Sequence, residues 1–305
     1  MNELLVRELA RGEESLWFEL NDERDHDEER TEEERLAEFG EQFDERSGED
    51  PRTFLIALDG ARPVGRLKGV FLDERTYFIA EVRTAEGLPC SVIEDALVRH
   101  LAPTFSRDGI NVLSSDRPRN REVVSALSRT GFTIDKQKAY VGRSLEGQLP
   151  EPEVAFGFLT LAEVGRERFV RVMTQAADGD PFEDPTEGDP DADFQELIEM
   201  AGDRFDESLW YLPLVDGEIV GVLLPQAFPD SDTEGTLFYV AVLPRFRGLG
   251  YGRALHATGL AILKGRGVTK YVGSTDTRNA PMLRVFEANG CPQTNTQFFF
   301  RPPDA

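Results

Sequence analysis

The 305-residue chain carries 57 Asp and Glu against 34 Lys and Arg, a formal net charge of −23. That charge disfavours nucleic acid and anionic membrane as partners. Two widely spaced cysteines and three histidines argue against a disulfide scaffold, a metal site and a histidine triad, while the absence of a long apolar run predicts a cytoplasmic protein of about two domains.

In chain order, the first distinctive stretch is the charged segment 21–50. Its Leu36, Phe39 and Phe43 form one apolar stripe on a predicted solvated helix. Residues 53–66 read as a strand, an Asp59-Gly60 turn and a second strand, a hairpin pattern. Asn120, Leu127, Gly131 and Phe132 follow, then a strand at Ala139-Tyr140-Val141 and a turn-rich linker over 146–152. Beyond it, helical patterns at about 161–177 and 194–201 flank the Pro/Gly/Asp loop 178–193. Its acids either attract a cationic amine or share the general acidity of the chain. Residues 209–222 repeat the hairpin with Asp216-Gly217, and Asn279, Phe286, Gly290 and Cys291 repeat the spacing that starts at Asn120. A final strand is predicted at Gln297–Phe300. Two copies of one α/β unit account for the pattern.

The copies differ at one place. After the apolar strand Leu237–Val242, the second reads Arg247-Gly248-Leu249-Gly250-Tyr251-Gly252-Arg253 and then opens a helix. Glycines let backbone N–H groups converge, and a helix N-terminus adds positive potential, so this is an anion site sized for phosphate or pyrophosphate. The spacing fits neither the dinucleotide fingerprint nor a P-loop. From Gly235 to Phe286 there are eight Lys/Arg and one acid, Asp276, inside an otherwise acidic chain. The first copy has Gly87, the donor-less Pro89 and Glu86 in the corresponding place, with bases and acids nearly balanced.

Arg247, Gly250 and Gly252 match the [QR]-x-x-G-x-[GA] motif of the GCN5-related N-acetyltransferases, the GNAT superfamily, and Asn279 through Cys291 resembles that family's downstream motif. The resemblance is motif-specific over about 234–291 and fold-level over nearly the whole chain. It implies an α/β (α+β) fold of two tandem GNAT units, each a mixed, mostly antiparallel sheet flanked by helices. A degenerate N-terminal domain would span 1–148, and a C-terminal domain with the acetyl-CoA site would span 153–305.

The resemblance also implies an N-acetyltransferase acting on the primary amine of a small molecule or peptide. Acetyl-CoA would be the co-substrate, with no metal. Val240, Ala241 and Val242 would lie beside pantetheine and thioester. Arg247, Gly248, Leu249, Gly250, Tyr251, Gly252 and Arg253 would hold the pyrophosphate. Asn279 would reach pantetheine, cap the next helix, or both. Phe286 stands where the family usually has an acid-donating Tyr. Tyr239, Tyr251, Tyr271 and Ser274 are open as substitutes. Glu234, read by strand alternation as sharing a face with Thr236 and Val240, is either the general base or a solvated strand-end acid. Two rival readings stand beside this one: a mycothiol synthase-like transferase acting on an amino-sugar thiol precursor, and a non-catalytic CoA-binding sensor or scaffold.

Overall fold

The computed structural model describes residues 4–20, 52–73, 76–85, 87, 89–102, 111–115, 121–182 and 189–303. The striped segment with Leu36, Phe39 and Phe43, together with Asn120 and the middle of the 178–193 loop, lies outside the described residues. No helix among the described residues is long and apolar enough to cross a membrane.

The first half contributes β1 (Leu4–Glu8), α1 (Glu14–Phe18), β2 (Arg52–Asp59), β3 (Arg62–Asp73), β4 (Thr76–Thr84), α2 (Cys90–Leu101), β5 (Asn111–Ser115), α3 (Arg121–Arg129) and β6 (Thr133–Ser144). The second contributes β7 (Gly157–Thr160), α4 (Leu161–Val164), α5 (Arg166–Ala177), α6 (Pro190–Ala201), β8 (Tyr211–Val215), β9 (Glu218–Ile219), β10 (Gly221–Ala227), β11 (Glu234–Val242), α7 (Tyr251–Gly265), β12 (Lys270–Asp276), α8 (Ala280–Ala288) and β13 (Gln293–Arg301). Both halves therefore run hairpin, strand, helix, strand, helix, strand, as the repeat implies. The helical pattern over 161–177 is two helices, because Gly165 at φ +75° interrupts it.

The compact units are Met1–Lys138 with Asn295–Ala305, and Ala139–Thr294. This differs from a division at 148–153. Most of the C-terminal strand belongs to the first unit, and the latter half of β6 belongs to the second. Strand propensity makes a strand; which sheet it joins depends on the free edge that is available.

In the first unit the sheet order is β1-β2-β3-β4-β5-β13-β6. β1 to β4 pair antiparallel, β4 and β5 pair parallel, and β13 pairs antiparallel with β5. β2 is buried on both faces. Leu55 and Ala57 pack with Ile93, Leu97 and Leu127 on the helix side, while Phe54, Ile56 and Leu58 pack with Trp17 on the other.

In the second unit the order is β6-β12-β11-β10-β8-β7, with β9 on β8. The Asp216-Gly217 turn joins Val215 to Glu218 with both central residues at positive φ (51° and 80°), the two-residue hairpin geometry its sequence predicts. β10 sends Val222 and Leu224 toward α5 and α6, where Phe169, Phe194 and Trp210 pack. Leu223 points the other way, toward α7 and α8, with Leu260, Leu263 and Phe286. Thr160 and Glu163 form a reciprocal capping box at α4, and Asp189 caps α6.

β10 and β11 approach closely at Gly221, where a Cβ would lie 2.1 Å from the Ala241 carbonyl oxygen. Gly221→Ala should therefore push two backbones apart and cost about 1–3 kcal/mol, read as a lower urea midpoint. An unchanged midpoint would show that the contact does not constrain the strands.

Candidate functional site

The site begins where a ladder stops. β11 and β12 are parallel neighbours, yet they pair only at Glu234↔Lys270 and Gly235↔Tyr271. On its other edge β11 pairs with β10 along its length, but the register shifts between Leu223 and Pro225, so Phe238 and Tyr239 together face Leu224. This is a β-bulge, which bends and twists the strand that carries it. Pro225 has no N–H to contribute to that ladder.

Past the bulge, the Leu243 N–H donates to the Val220 carbonyl at 2.9 Å. Antiparallel strands alternate in the direction their peptide groups face. Ala241 thus faces β10, while Val240 and Val242 turn their N–H and C=O groups toward the side that β12 has vacated. The expected trio is therefore divided: two residues present backbone to the open edge and one is tied to the neighbouring strand.

The open edge runs into a turn at Pro244–Phe246 and then the glycine stretch. Gly248 and Gly250 adopt φ of +79° and +83°, and Gly250 caps α7 without any side-chain cap. The first helical acceptor is the Gly250 carbonyl, bonded by the Ala254 N–H at 3.3 Å. Among the described residues, no hydrogen bond is made by the backbone N–H groups of Gly248, Leu249, Gly250, Tyr251, Gly252 or Arg253. Six consecutive unpaired donors at a helix N-terminus form a nest, the kind of arrangement that can hold an anion.

The arginines are arranged differently from a simple ring of free charges. Arg247 donates through Nε to the Val242 carbonyl at 3.1 Å and through Nη2 to the Ala176 carbonyl at 2.8 Å. It pins the end of β11 to the C-terminus of α5, where a cation also meets the negative end of the helix dipole. Arg245 pairs with Glu218 and Arg253 with Glu153, both in exposed positions where such pairs contribute little. Tyr251 packs its ring among Phe156 and Phe246, and Leu249 is exposed at the tip of the turn.

Asn279 caps α8, its Oδ1 accepting from the Met282 N–H at 3.1 Å. Phe286 is a core residue, 2% exposed, with its ring edge on His256, so it does not line the open edge. Glu234 is ion-paired with Lys270 at the closed end of the strand pair. The bulge corrects the expected alternation: Leu237 and Val240 both pack toward α7 and α8, whereas Phe238 and Ala241 pack toward α5 and α6. Glu234 thus shares a face with Thr236 and Phe238, not with Val240. Val240 also lies six positions beyond Glu234 along the strand, about 20 Å.

A buried polar network lies behind the nest. Asn289 Nδ2 donates to the Arg253 carbonyl at 3.1 Å and to His256 Nδ1 at 3.0 Å, and His256 Nε2 meets the Tyr271 hydroxyl at 3.1 Å. A carbonyl only accepts, so the Asn289 atom facing it is the amide nitrogen. His256 is therefore the neutral tautomer protonated at Nε2. Arg143 donates to the Asn289 carbonyl. Burial first, and the Arg143 charge second, push the His256 pKa down to about 4. Burial likewise raises Cys291 to about 11, a packed thiol. Sequence reading missed this network, since a lone His one turn into a helix carries no signal of its partners.

A model of the acetyltransferase (GNAT) family matches residues 173–291. A mycothiol acetyltransferase of Cellulomonas flavigena is 30% identical over 109 residues, 33% of this chain and 31% of that protein. The match thus spans about a third of the relative's length. A GCN5-related N-acetyltransferase from Sphaerobacter thermophilus shares the fold with a TM-score of 0.59 at 20% identity, covering 99% of this chain and 98% of that one. A tandem GNAT protein from the clavulanic acid biosynthesis pathway does so with a TM-score of 0.50 at 14% identity, covering 98% of each.

His256 makes a prediction about acid stability. Its pKa is depressed on folding, so the unfolded chain takes up a proton near pH 6.5 that the native protein refuses until about pH 4. Stability from this group is complete above the unfolded pKa and falls as pH drops through that window. The loss in urea midpoint between pH 7 and pH 5 should be smaller in His256→Gln than in the wild type. Equal losses would refute the buried neutral histidine.

Proposed function

Because residues 173–291 match the acetyltransferase (GNAT) family model, we propose that the second unit binds acetyl-CoA along the open edge of β11 and the start of α7, and transfers the acetyl group to a primary amine. The observation that carries this reading is the run of six unpaired N–H groups at Gly248–Arg253, continuous with the vacated edge at Val240 and Val242. A pyrophosphate is the ligand chemistry such a nest suits. The extended pantetheine arm, with its amides, suits an unpaired strand edge.

In this reading the Val240 N–H points at the thioester carbonyl and stabilises the oxyanion as the amine attacks. Val242 holds the pantetheine amide. Arg247 acts from behind by fixing the end of β11 relative to the nest, and Asn279, whose Oδ1 is committed to its cap, offers its amide N–H groups to the arm. An alkyl ammonium has a pKa near 10, so it must lose a proton before attack. Glu234 reaches the amine only through water, given its distance along the strand and its pairing with Lys270. The first unit has one glycine at positive φ before α2 and a proline as its N-cap, and it is assigned no acetyl-CoA site.

A second reading narrows the acceptor to an amino-sugar thiol precursor, and it rests on the partial match to the mycothiol acetyltransferase.

Calorimetric titration with acetyl-CoA tests the proposal. One site per chain is expected, with affinity reduced at least tenfold in Gly250→Val, because a β-branched residue disfavours the left-handed backbone. Two sites, or wild-type affinity in that variant, would contradict it. Glu234→Gln should keep its affinity and lose less than threefold in turnover; a loss of a hundredfold would restore Glu234 as a direct base.

A further inference from the structure

Asn289 is wholly buried, and its side chain is used on one side only. Nδ2 donates twice, to the Arg253 carbonyl at 3.1 Å and to His256 Nδ1 at 3.0 Å. Oδ1 is buried and has no hydrogen-bond partner among the described residues. A buried acceptor left unmade costs stability, and an apolar side chain of the same volume would avoid that cost. The amide therefore serves through its two N–H groups, and one of them ends on the first turn of α7.

That amide is fixed from three directions. Asn289 ends α8: its own N–H bonds the Val285 carbonyl at 3.1 Å, and the Cys291 N–H returns to the Phe286 carbonyl at 2.9 Å across Gly290, which adopts φ +67°. Arg143, from β6, donates to the Asn289 carbonyl at the negative end of that helix. His256 meets the Tyr271 hydroxyl through Nε2 and offers Nδ1 as an acceptor. Turning the amide over would set Oδ1 against both a ring lone pair and a carbonyl oxygen.

The backbone so held is the one that carries the unpaired donors. The Arg253 side chain leaves toward Glu153 in an exposed pair, so Arg253 meets Asn289 through its carbonyl. The Ala254 N–H closes the same turn onto the Gly250 carbonyl at 3.3 Å. Gly250 through Arg253, four of the six residues with unpaired N–H groups, lie within these two bonds. A Cβ at Gly252 would lie 3.8 Å from the side chains of both Val242 and Val285, which sets the turn beside the end of β11 and α8. A glycine-rich turn loses much conformational freedom when a ligand orders it. An anchor that orders the turn beforehand removes that cost from binding.

We propose that Asn289 is a positioning residue for the anion: by holding the Arg253 carbonyl it pre-orders the Gly248–Arg253 N–H groups and so sets the affinity for a pyrophosphate-bearing ligand. This rests on the acetyl-CoA reading above. Asn289 touches neither the ligand nor the reacting atoms. It acts through the backbone of α7, with His256 and Arg143 keeping it in place. Its effect falls on the phosphate end of the cofactor and spares the thioester end, which lies along β11.

Acetyl-CoA and S-acetylpantetheine separate the two ends, since the second keeps the arm and thioester and lacks the pyrophosphate. Both are titrated calorimetrically into the full chain as wild type, as Asn289→Leu, which keeps the volume and removes both donors, and as Asn289→Ala. Each variant should bind acetyl-CoA about tenfold more weakly and S-acetylpantetheine within about twofold of wild type. Amide hydrogen exchange should be about tenfold faster at Ala254 in the variants and unchanged at Leu260 and Leu263, further along α7. Affinities that fall equally for both ligands, an unchanged acetyl-CoA affinity, or variants without a cooperative urea transition overturn the assignment. A wild type that binds acetyl-CoA no more tightly than S-acetylpantetheine overturns the pyrophosphate reading instead, and exchange at Ala254 still decides whether Asn289 orders the turn.

Discussion

The second unit depends on two parallel strands that stay together for only two residue pairs. If β11 and β12 remained zipped, every backbone group between them would be satisfied and the sheet would offer no place for a ligand. Parallel strands in a sheet ordinarily keep their ladder because each unmade bond leaves a polar group to be satisfied elsewhere. Here the bulge at Phe238 and Tyr239 turns β11 away from β12 while leaving its bonds to β10 largely intact. The vacated edge then presents the backbone of Val240 and the Val242 N–H, while the Val242 carbonyl is taken by Arg247, and it leads directly to the N-terminus of α7.

That geometry needs fixing from both sides. Arg247 reaches back to the carbonyls of Val242 and Ala176, joining the end of the strand to a helix terminus. Asn289 reaches forward from the end of α8 to the Arg253 carbonyl in the first turn of α7 and to His256. The nest therefore sits on backbone held by polar contacts outside the nest itself. A polar network of this kind is specific because each group has few alternative partners in the interior.

The two units use the same order of elements with different consequences. In the first, β4 and β5 pair over three positions, and α2 starts after Pro89 with no glycine pair ahead of it. The parallel pairing is short in both units, three positions in the first and two in the second, and what differs is the helix start, a proline in the first and a glycine at positive φ in the second. Charge follows the same division, since the local excess of basic residues over 235–286 has no counterpart in the first copy.

The hairpins, the repeat and the helix that opens at Tyr251 were legible from the sequence because each is local. Asp-Gly turns, glycines at positive φ and apolar periodicity act over a few residues and report directly on backbone conformation. The glycine-rich turn that opens α7 was legible for the same reason. The bulge was not, because it inserts one residue into an otherwise regular apolar strand, and it reversed the face assigned to Val240 relative to Glu234. Membership of the strands was also hidden: Tyr140 and Phe299 both read as strand, but only the free sheet edges decided that β13 joins the first unit and the latter half of β6 joins the second. Phe286 belonged to a matching motif by spacing, yet its contact with His256 made it core. Sequence by itself determined which segments form strands, turns and the glycine-rich start of α7, since those follow from short-range sterics and hydrogen bonding. The tertiary structure alone decided which backbone groups stay unpaired and which buried polar groups meet, since those depend on register and edge occupancy between segments distant in the chain.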